Sequence, residues 1–286
     1  MPGALFIVAT PIGNLEDITQ RALRVLREVD LIACEDTRHT RKLLNHFGIT
    51  TATISYHEHN EHERAEELCE ALESGKNVAL VSDAGTPLVS DPGFRIVKMA
   101  SDRGISIVPI PGPAACITAL SASGIETDQF LFAGFLPARA GARRAKLNEL
   151  IAIPTTLVFY EAPHRLNAAL KDALEVLGNR EAVIARELTK LHEEFARGSL
   201  SDLIERFSKT EAARGEIVLM ISGHATDASA FSRITSPETK LSERIDELER
   251  DGLNQKTALK RAAKELGMKR DDAYRILVSQ KNRRSK

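Results

Sequence analysis

The chain has 286 residues, of which 43% are hydrophobic and 28% are charged. This composition is that of a globular protein and excludes a disordered or fibrous one. The 39 basic and 40 acidic side chains leave a net charge of −1, which indicates no polyanionic partner for the chain as a whole. The charge is uneven, because residues 238–286 carry 14 basic and 9 acidic side chains. The length favours two domains, or one large domain with a small appendage.

No membrane segment, secretion signal or metal site is predicted. No apolar run approaches the roughly 18 residues of a membrane span, and proline and glycine interrupt the first short run, residues 4–9, at once. The three cysteines, Cys34, Cys69 and Cys116, are few and far apart, so neither a disulfide framework nor a metal-ligand spacing is visible. We therefore expect a cytoplasmic protein without a metal.

The first 125 residues alternate between short apolar runs and segments of helical periodicity. This alternation predicts an α/β subdomain with a mostly parallel sheet and helices on both faces. Ligands of such sheets bind at the carboxyl ends of the strands. The predicted strands are Leu5–Ala9, Leu31–Cys34, Thr53–Tyr56, Val78–Val81 and Ile105–Ile110.

A second α/β subdomain is predicted for residues 126–223. Its strands are Phe130–Phe135, Thr156–Tyr160, Ala182–Ala185 and Ile217–Ile221, and its helices are Ala142–Ile151, Leu166–Leu177 and Leu200–Ser208. Residues 224–237 lack periodicity and are predicted to form a linker. The basic residues 238–286 then predict a small helical domain with a helix-turn-helix-like pattern. Its three predicted helices are Leu241–Arg250, Lys256–Leu266 and Asp271–Gln280.

The loops after the predicted strands carry the least ordinary residues of the chain. They are rich in proline, glycine and small side chains, which let a ligand approach the main chain closely. An N-cap by Asp36 or Thr37 explains part of the charged cluster at 35–38, but not all of it. Neither a dinucleotide fingerprint nor a phosphate-binding P-loop is present, so phosphate cradling is not predicted.

Five motifs in order carry a family resemblance. They are TPIGNLEDIT at 10–19, EDTR at 35–38, SDAGTPLVSDPG at 82–93, PGPAA at 111–115 and FYEAPHR at 159–165. Over about residues 4–223 the chain resembles the tetrapyrrole methylase superfamily, and within it the enzymes that methylate a cytidine ribose 2′-oxygen of 16S rRNA. The resemblance implies two α/β subdomains with S-adenosylmethionine in the cleft between them, and a homodimer.

The same resemblance implies which residues line the cofactor pocket. The first subdomain supplies Pro11, Asp83, Thr86, Pro87, Val89, Ala114 and Ala115, and the second supplies Tyr160, Gly215 and Glu216. Where members of the superfamily usually have Gly-Asp-Pro, this chain has Gly85-Thr86-Pro87. The roles of Thr86 and of nearby Asp83 are therefore left open.

A ribose hydroxyl is a weak nucleophile, and a positioned base contributes roughly 10²–10⁴-fold to its reaction. Asp36, Asp91 and Glu161 are candidates, and Glu161 is preferred because it follows a predicted strand beside Tyr160. The alternative is that Glu161 forms an ordinary ion pair with Arg165, four residues on. Asp36 with Arg38 either positions a substrate phosphate or forms an ion pair of its own.

Local positive charge predicts where RNA binds. Residues 137–147 suit a mobile basic loop, and the tail from residue 254 holds 11 basic and 3 acidic side chains. The predicted contacts are Arg139, Arg143, Arg144, Lys146, Arg165, Lys269, Arg270 and Arg275. Because aromatic residues make up only 5% of the chain, we expect recognition through RNA shape, with 16S rRNA in the assembled 30S subunit as the partner.

Two other functions fit parts of the sequence. A tetrapyrrole methyltransferase would use the same cofactor, but a small macrocycle does not need the basic segment at 137–147 or the basic tail. An RNA-binding protein without catalytic activity would use the tail, but would leave the proline- and glycine-rich loops without a purpose.

Overall fold

A computed structural model describes residues 2–208, 215–224 and 254–265, together with residues 244, 245 and 248. The chain divides into two compact units, residues 1–224 and residues 225–286. Most of the predicted linker and of the predicted basic domain lies outside the described residues. The predicted domain boundaries remain predictions.

The first sheet has five parallel strands in the order β3-β2-β4-β1-β5. Its strands are β1 (Ala4–Val8), β2 (Leu31–Cys34), β3 (Thr53–Ser55), β4 (Val78–Val81) and β5 (Ser106–Ile110). The helices are α1 (Gln20–Glu28), α2 (Thr37–His46), α3 (Glu61–Glu73), α4 (Phe94–Asp102) and α5 (Ala115–Ser123). The predicted strands are confirmed, with ends that differ by one residue at most.

Helices cover both faces of this sheet, and alternate residues of each strand face opposite layers. In β4, Ala79 and Val81 pack with residues of α1 and α2, whereas Val78 and Leu80 pack with residues of α3 and α4. All four residues of β4 are buried. A strand buried on both faces must be apolar throughout, which is why it appears in the sequence as a continuous run.

The second sheet has the order β6-β7-β10-β8-β9, with one parallel pair at β6 and β7 and antiparallel pairs elsewhere. Its strands are β6 (Phe130–Phe135), β7 (Thr156–Glu161), β8 (Glu181–Arg186), β9 (Glu194–Ser199) and β10 (Ile217–Ile221). The helices are α6 (Ala140–Leu150), α7 (Leu166–Leu177) and α8 (Leu200–Ser208). The predicted architecture of two α/β halves is confirmed.

Helix α5 and Ile12 of the first half pack against the second sheet. The face of that sheet opposite α6, α7 and α8 carries Val158, Val183 and Val218, which form an apolar cluster with Ile12 and Cys116. We call this the shared cluster. It holds the two sheets in one compact unit and fixes how their edges meet.

The prediction of a mobile basic loop at residues 137–147 is wrong. These residues enter helix α6, and Arg143 is only 4% exposed. Its Nε donates to Oδ2 of the buried Asp172 at 2.7 Å, and its Nη1 donates to the Ala138 carbonyl at 3.0 Å. Arg143 therefore ties α6 to α7 and is not available to RNA, in contrast to the predicted contact.

Part of the C-terminal unit is described. Residues 244, 245 and 248 are helical, and a helix, α9, spans Gln255–Glu265. Ile245, Leu248 and Leu259 pack in one apolar cluster. The last predicted helix, Asp271–Gln280, lies outside the described residues. No helix in the described part of the chain has the length and apolarity needed to cross a membrane.

The buried pair predicts a large difference between two arginine substitutions. Replacing Arg143 by alanine leaves the Asp172 carboxylate buried with fewer donors, and we expect a loss of about 3 kcal/mol in the free energy of unfolding. Arg24→Ala, which removes an exposed pair with Glu28, is the control and should cost less than about 1 kcal/mol. Urea denaturation measures both, and equal losses would contradict a structural role for the buried pair.

Candidate functional site

A cavity of about 390 Å³ lies where the two sheets of residues 1–224 meet. Loops after β4 and β5 form one wall, and the ends of β7 and β10 form the opposite wall. The lining comprises Ile12, Asp83, Ala84, Gly85, Thr86, Val89, Ser90, Asp91, Ala114, Ala115, Phe135, Tyr160, Glu161, Ala162, Pro163, Leu188, Gly215, Glu216, Ile217 and Val218. Its volume is in the range of pockets for small molecules and cofactors.

The loop after β4 is attached to the loop after β1 by main-chain hydrogen bonds. The Thr10 amide donates to the Gly85 carbonyl at 2.8 Å, and the Gly85 amide donates to the Thr10 carbonyl at 3.0 Å. The buried Thr10 hydroxyl donates to the Ser82 carbonyl at 3.1 Å. Gly85 has a φ of +83°, which glycine adopts without steric cost.

Two other residues of this loop have strained backbones. Leu88 has a φ of +70° and Ser90 has a φ of +68°, in the left-handed region that side chains with a Cβ disfavour. Strained residues of this kind persist only where the surrounding structure fixes them, and they concentrate at functional sites. Here Leu88 packs into the core of the first half, and Ser90 lines the cavity.

The loop after β5 completes this wall. The Thr86 hydroxyl donates to the Pro113 carbonyl at 3.0 Å, which joins the loops after β4 and β5. Ala114 and Ala115 then lead into helix α5. Their small side chains leave space that a larger residue would fill.

The opposite wall is built by strand pairing in the second sheet. Tyr160 pairs with Val218, and Glu161 with Ile217, so the end of β7 lies beside the start of β10. The Tyr160 ring contacts Phe132 and Phe135 edge to face, with centroids 4.8 Å and 5.5 Å apart. Burial raises the pKa of Tyr160, which therefore stays protonated.

Glu161 is buried and paired with Arg165, which is the alternative that the sequence left open. Its Oε1 accepts from Nε of Arg165 at 2.8 Å and from the Ala162 amide at 2.8 Å. Its Oε2 is buried and has no hydrogen-bond partner among the described residues. Because a buried carboxylate oxygen without a donor is costly, this atom fits a ligand that brings one.

Asp36 and Arg38 do not line the cavity. The Asp36 side chain caps helix α2 by accepting from the Arg38 amide at 2.8 Å, and it also pairs with the Arg38 guanidinium. That pairing holds the pKa of Asp36 well below its usual range. The Arg38 side chain is 89% exposed. The link to the cavity is indirect, because the Asp36 amide donates to Oδ1 of Asp83 at 3.1 Å.

Eight of the ten residues that the resemblance implied for the cofactor line the cavity, and Pro11 and Pro87 do not. Pro87 is buried and Pro11 half-buried, whereas their neighbours Ile12 and Thr86 reach the cavity surface. Sequence reasoning missed Ile12, Leu188 and Phe135. Ile12 and Leu188 are apolar loop residues that no sequence pattern marks as part of a site. Phe135 reaches the cavity because of a register shift in β6, which the sequence does not reveal.

The cavity is acidic. Asp83, Asp91, Glu161 and Glu216 line it, and no lysine or arginine is among its lining residues. Burial raises the pKa of Asp91 to about 6, and the negative charges of nearby Glu35 and Asp83 add to this shift. Glu161 pairs with Arg165 and Glu216 with Lys190, so the preference for a cationic ligand comes mainly from Asp83 and Asp91. No group of three or more potential metal-binding side chains occurs in the described parts of the chain.

The predicted RNA contacts are scattered over the described residues. Arg139 is exposed at the start of α6, Arg144 is half-exposed and pairs with Asp172, and Lys146 pairs with Glu149. Arg165 lies beside the cavity through its pair with Glu161. The remaining predicted contacts, Lys269, Arg270 and Arg275, lie outside the described residues.

Residues 4–204 match the model of the family Tetrapyrrole (Corrin/Porphyrin) Methylases. The chain belongs to this family. Within the family, it is 44% identical over 274 residues to ribosomal RNA small subunit methyltransferase I of Halalkalibacterium halodurans, covering 96% of this chain and 94% of that protein. The protein of the same name from Escherichia coli O157:H7 is 53% identical over 224 residues, 78% of each chain.

Solved structures of other proteins share the fold. The uroporphyrin-III C-methyltransferase from Thermus thermophilus, complexed with S-adenyl homocysteine, aligns with a TM-score of 0.55 and 20% identity, over 76% of this chain and 97% of that one. The family match and the relatives confirm the resemblance read from the five motifs.

Substitution of Gly215 measures how closely the second wall of the cavity is packed. Its φ is +88°, and an added Cβ would lie 2.0 Å from Oε1 of Glu187, the atom that accepts from the Glu216 amide at 3.1 Å. Gly124, at the end of α5, has a similar φ of +79° in the left-handed region, but a Cβ there meets nothing within 4 Å. Gly124→Ala is therefore a matched control for backbone strain alone.

We expect Gly124→Ala to cost about 1 kcal/mol in the free energy of unfolding, from the left-handed backbone. Gly215→Ala should cost about 1 to 3 kcal/mol more, because Glu187 must move and release Glu216. Urea denaturation of both variants measures the difference. The same loss in both would show that the contact with Glu187 is unimportant.

Proposed function

We propose that the protein transfers a methyl group from S-adenosylmethionine to the ribose 2′-oxygen of a cytidine in 16S rRNA, within the assembled 30S subunit. The observation that carries this proposal is the acidic cavity between loops of the first half and strand ends of the second. The proposal is supported by relatives over nearly the whole chain that are named for methylation of small-subunit ribosomal RNA.

The residues of the cavity fit this cofactor. S-adenosylmethionine carries a sulfonium and an ammonium group, and the lining offers four carboxylates. Glu161 and Glu216 pair with Arg165 and Lys190, which leaves Asp83 and Asp91 as the carboxylates best placed to meet a cation. The unpartnered Oε2 of Glu161 is placed to accept a hydrogen bond from such a ligand. The cofactor, when bound, supplies the electrophilic methyl group, and the protein must align the acceptor oxygen and exclude water.

We assign different cofactor contacts to the two walls of the cavity. Thr86, Ala114 and Ala115 offer a narrow surface of small side chains, while Tyr160 and Glu216 close the opposite side. Asp83, Val89 and Gly215 complete the proposed contacts, and Pro11 and Pro87 support the loops rather than touching the cofactor. Asp36 and Arg38 lie outside the cavity lining, which favours a structural or RNA-phosphate contact over direct catalysis.

Asp91 is better suited than Glu161 to act as the general base. A base is most effective when its pKa is near the working pH, and that of Asp91 is raised to about 6. Glu161 is held by Arg165 and the Ala162 amide, so it is better placed to position a ligand than to carry a proton away. Both carboxylates line the same cavity.

We further propose that Arg139, Arg144 and Lys146 contact rRNA phosphates, together with Arg165 and the basic residues of the tail. The first three are exposed or half-exposed on α6 or at its start, near the end of β6. We propose a homodimer, supported by the exposed apolar Phe130 and Leu131 of edge strand β6. We propose that it is cytoplasmic, supported by three buried cysteines that form no disulfide.

Methyl transfer tests the proposed reaction directly. Wild-type protein should move labelled methyl from S-adenosylmethionine to unmodified 30S subunits, and digestion should recover the label as 2′-O-methylcytidine. Ala115→Trp should fill the cavity and abolish both transfer and cofactor binding in calorimetry. Ser121→Trp, an exposed position on the same helix, is the control. Label on a precorrin mixture but not on 30S subunits would reject the proposed acceptor.

The raised pKa of Asp91 predicts how activity and stability depend on pH. Activity should fall as the pH drops below about 6, because the carboxylate becomes protonated, and Asp91→Asn should lower kcat by roughly 10²–10⁴-fold. A carboxyl whose pKa is raised on folding destabilises the fold as the pH rises through that value. Asp91→Asn should therefore melt at a higher temperature than wild type at pH 7.5.

Rates from pH 5 to 8 and thermal melts of both proteins provide the measurements. Asp17→Asn, on an exposed turn far along the chain from the loop, is the control and should change neither. Near wild-type turnover by Asp91→Asn would remove Asp91 as the base.

A further inference from the structure

Strand β6 carries a β-bulge that places an aromatic side chain at the rim of the cavity. Phe132 pairs with Val158 of β7 and Phe135 pairs with Tyr160, so three steps along β6 match two along β7. Gly134, inside the bulge, has a φ of +66°. A bulge adds one residue, which turns the following side chain to the other face of the strand.

The bulge leaves the Phe135 ring exposed while neighbouring aromatic rings hold it in place. Phe135 is 55% exposed although it lines the cavity. Its ring lies edge to face with Tyr160, which is itself packed against Phe132. The bulge also approaches the strained loop of the first half, since a Cβ on Gly134 would lie 3.4 Å from Oγ of Ser90.

The other exposed phenylalanines in the part of the chain that the structure describes lack this placement. Phe94 is 74% exposed at the start of α4, and Phe130 is exposed at the opposite end of β6, and neither lines the cavity. Leaving a phenylalanine ring half in water at a binding site is unfavourable for the free protein. The ring gains from contact only when a flat apolar surface covers it.

We propose that Phe135 stacks on the base of the nucleotide whose ribose is methylated. This inference rests on the proposed function. The base is joined to the ribose carbon next to the one that bears the 2′-oxygen, so bringing that oxygen to the cavity brings the base to its rim. Stacking on an aromatic ring tolerates any base and is strongest for an unpaired one. Phe135 is therefore a positioning residue for an acceptor nucleotide that is extruded from its helix.

The adenine of the cofactor is the competing occupant of the ring. A base that arrives with the RNA fits better, because Phe135 is 55% exposed, so an incoming base can reach its ring from solvent. The two occupants differ in a measurable way. Stacking on the acceptor affects the KM for 30S subunits, whereas stacking on adenine affects the Kd of the cofactor.

The experiment compares Phe135→Ala, Phe135→Trp and the control Phe94→Ala in labelled-methyl transfer to 30S subunits. Phe135→Ala should raise the KM for 30S subunits about tenfold to a hundredfold, with an unchanged Kd for S-adenosylmethionine in calorimetry. Phe135→Trp keeps a flat ring and should restore a KM within about threefold of wild type. Phe94→Ala should match wild type.

Two results would overturn the stacking role. One is an unchanged KM for Phe135→Ala, and the other is a weakened cofactor Kd with an unchanged KM, which would assign the ring to adenine. A KM that rises equally in Phe135→Ala and Phe135→Trp would also reject stacking. Failure of the wild-type protein to methylate 30S subunits would instead refute the proposed function, so the two failures are distinguishable.

Discussion

The contact between helix α5 and the second sheet is the constraint on which the site depends. Ile12 and Cys116 of the first half pack with Val158, Val183 and Val218, and this shared cluster excludes water from the junction of the two sheets. The cavity opens beside it, so the loops of the first half and the strand ends of the second face each other at a fixed separation. A cavity between two independently moving halves would not hold two reactants in line.

Main-chain pairing then determines the shape of each wall. On one side, Thr10 and Gly85 exchange two hydrogen bonds and Thr86 reaches the Pro113 carbonyl, so three loops form one surface. On the other side, the register of β7 with β10 places Glu161 beside Ile217. The charge of the cavity comes from its lining side chains, four of which are acidic. The geometry comes from backbone atoms and the Thr86 hydroxyl, while the preference for a cation comes from a few carboxylates.

Local chemistry explains what could be predicted from the sequence. Continuous apolar strands such as β4 and loops such as residues 82–93 depend on nearby residues, so both were predicted correctly. Strand β9 was missed because Arg197 and Gly198 interrupt its apolar pattern. The start of α6 is predicted as a mobile loop because its basic side chains are typical of a solvent-exposed segment. The partner that buries Arg143 is Asp172, 29 residues further along, and no local pattern reveals it.

The candidate site also combines local features, which the sequence reveals, with long-range features, which it does not. The ion pair of Glu161 with Arg165 is local and was foreseen as an alternative, whereas the exposure of Phe135 arises from a register shift between two strands. A register depends on how a whole strand packs, and a one-residue change reverses every side chain beyond it. Elements and loops could therefore be predicted, while burial, long-range pairing and the residues at the rim could not.

The reciprocal hydrogen bonds between Thr10 and Gly85 have a thermodynamic consequence for recognition. They join two loops before any ligand arrives, so the loops have little conformational entropy left to lose on association. A preorganised pocket of this kind converts more of its contact energy into affinity, and its association need not wait for a slow folding step.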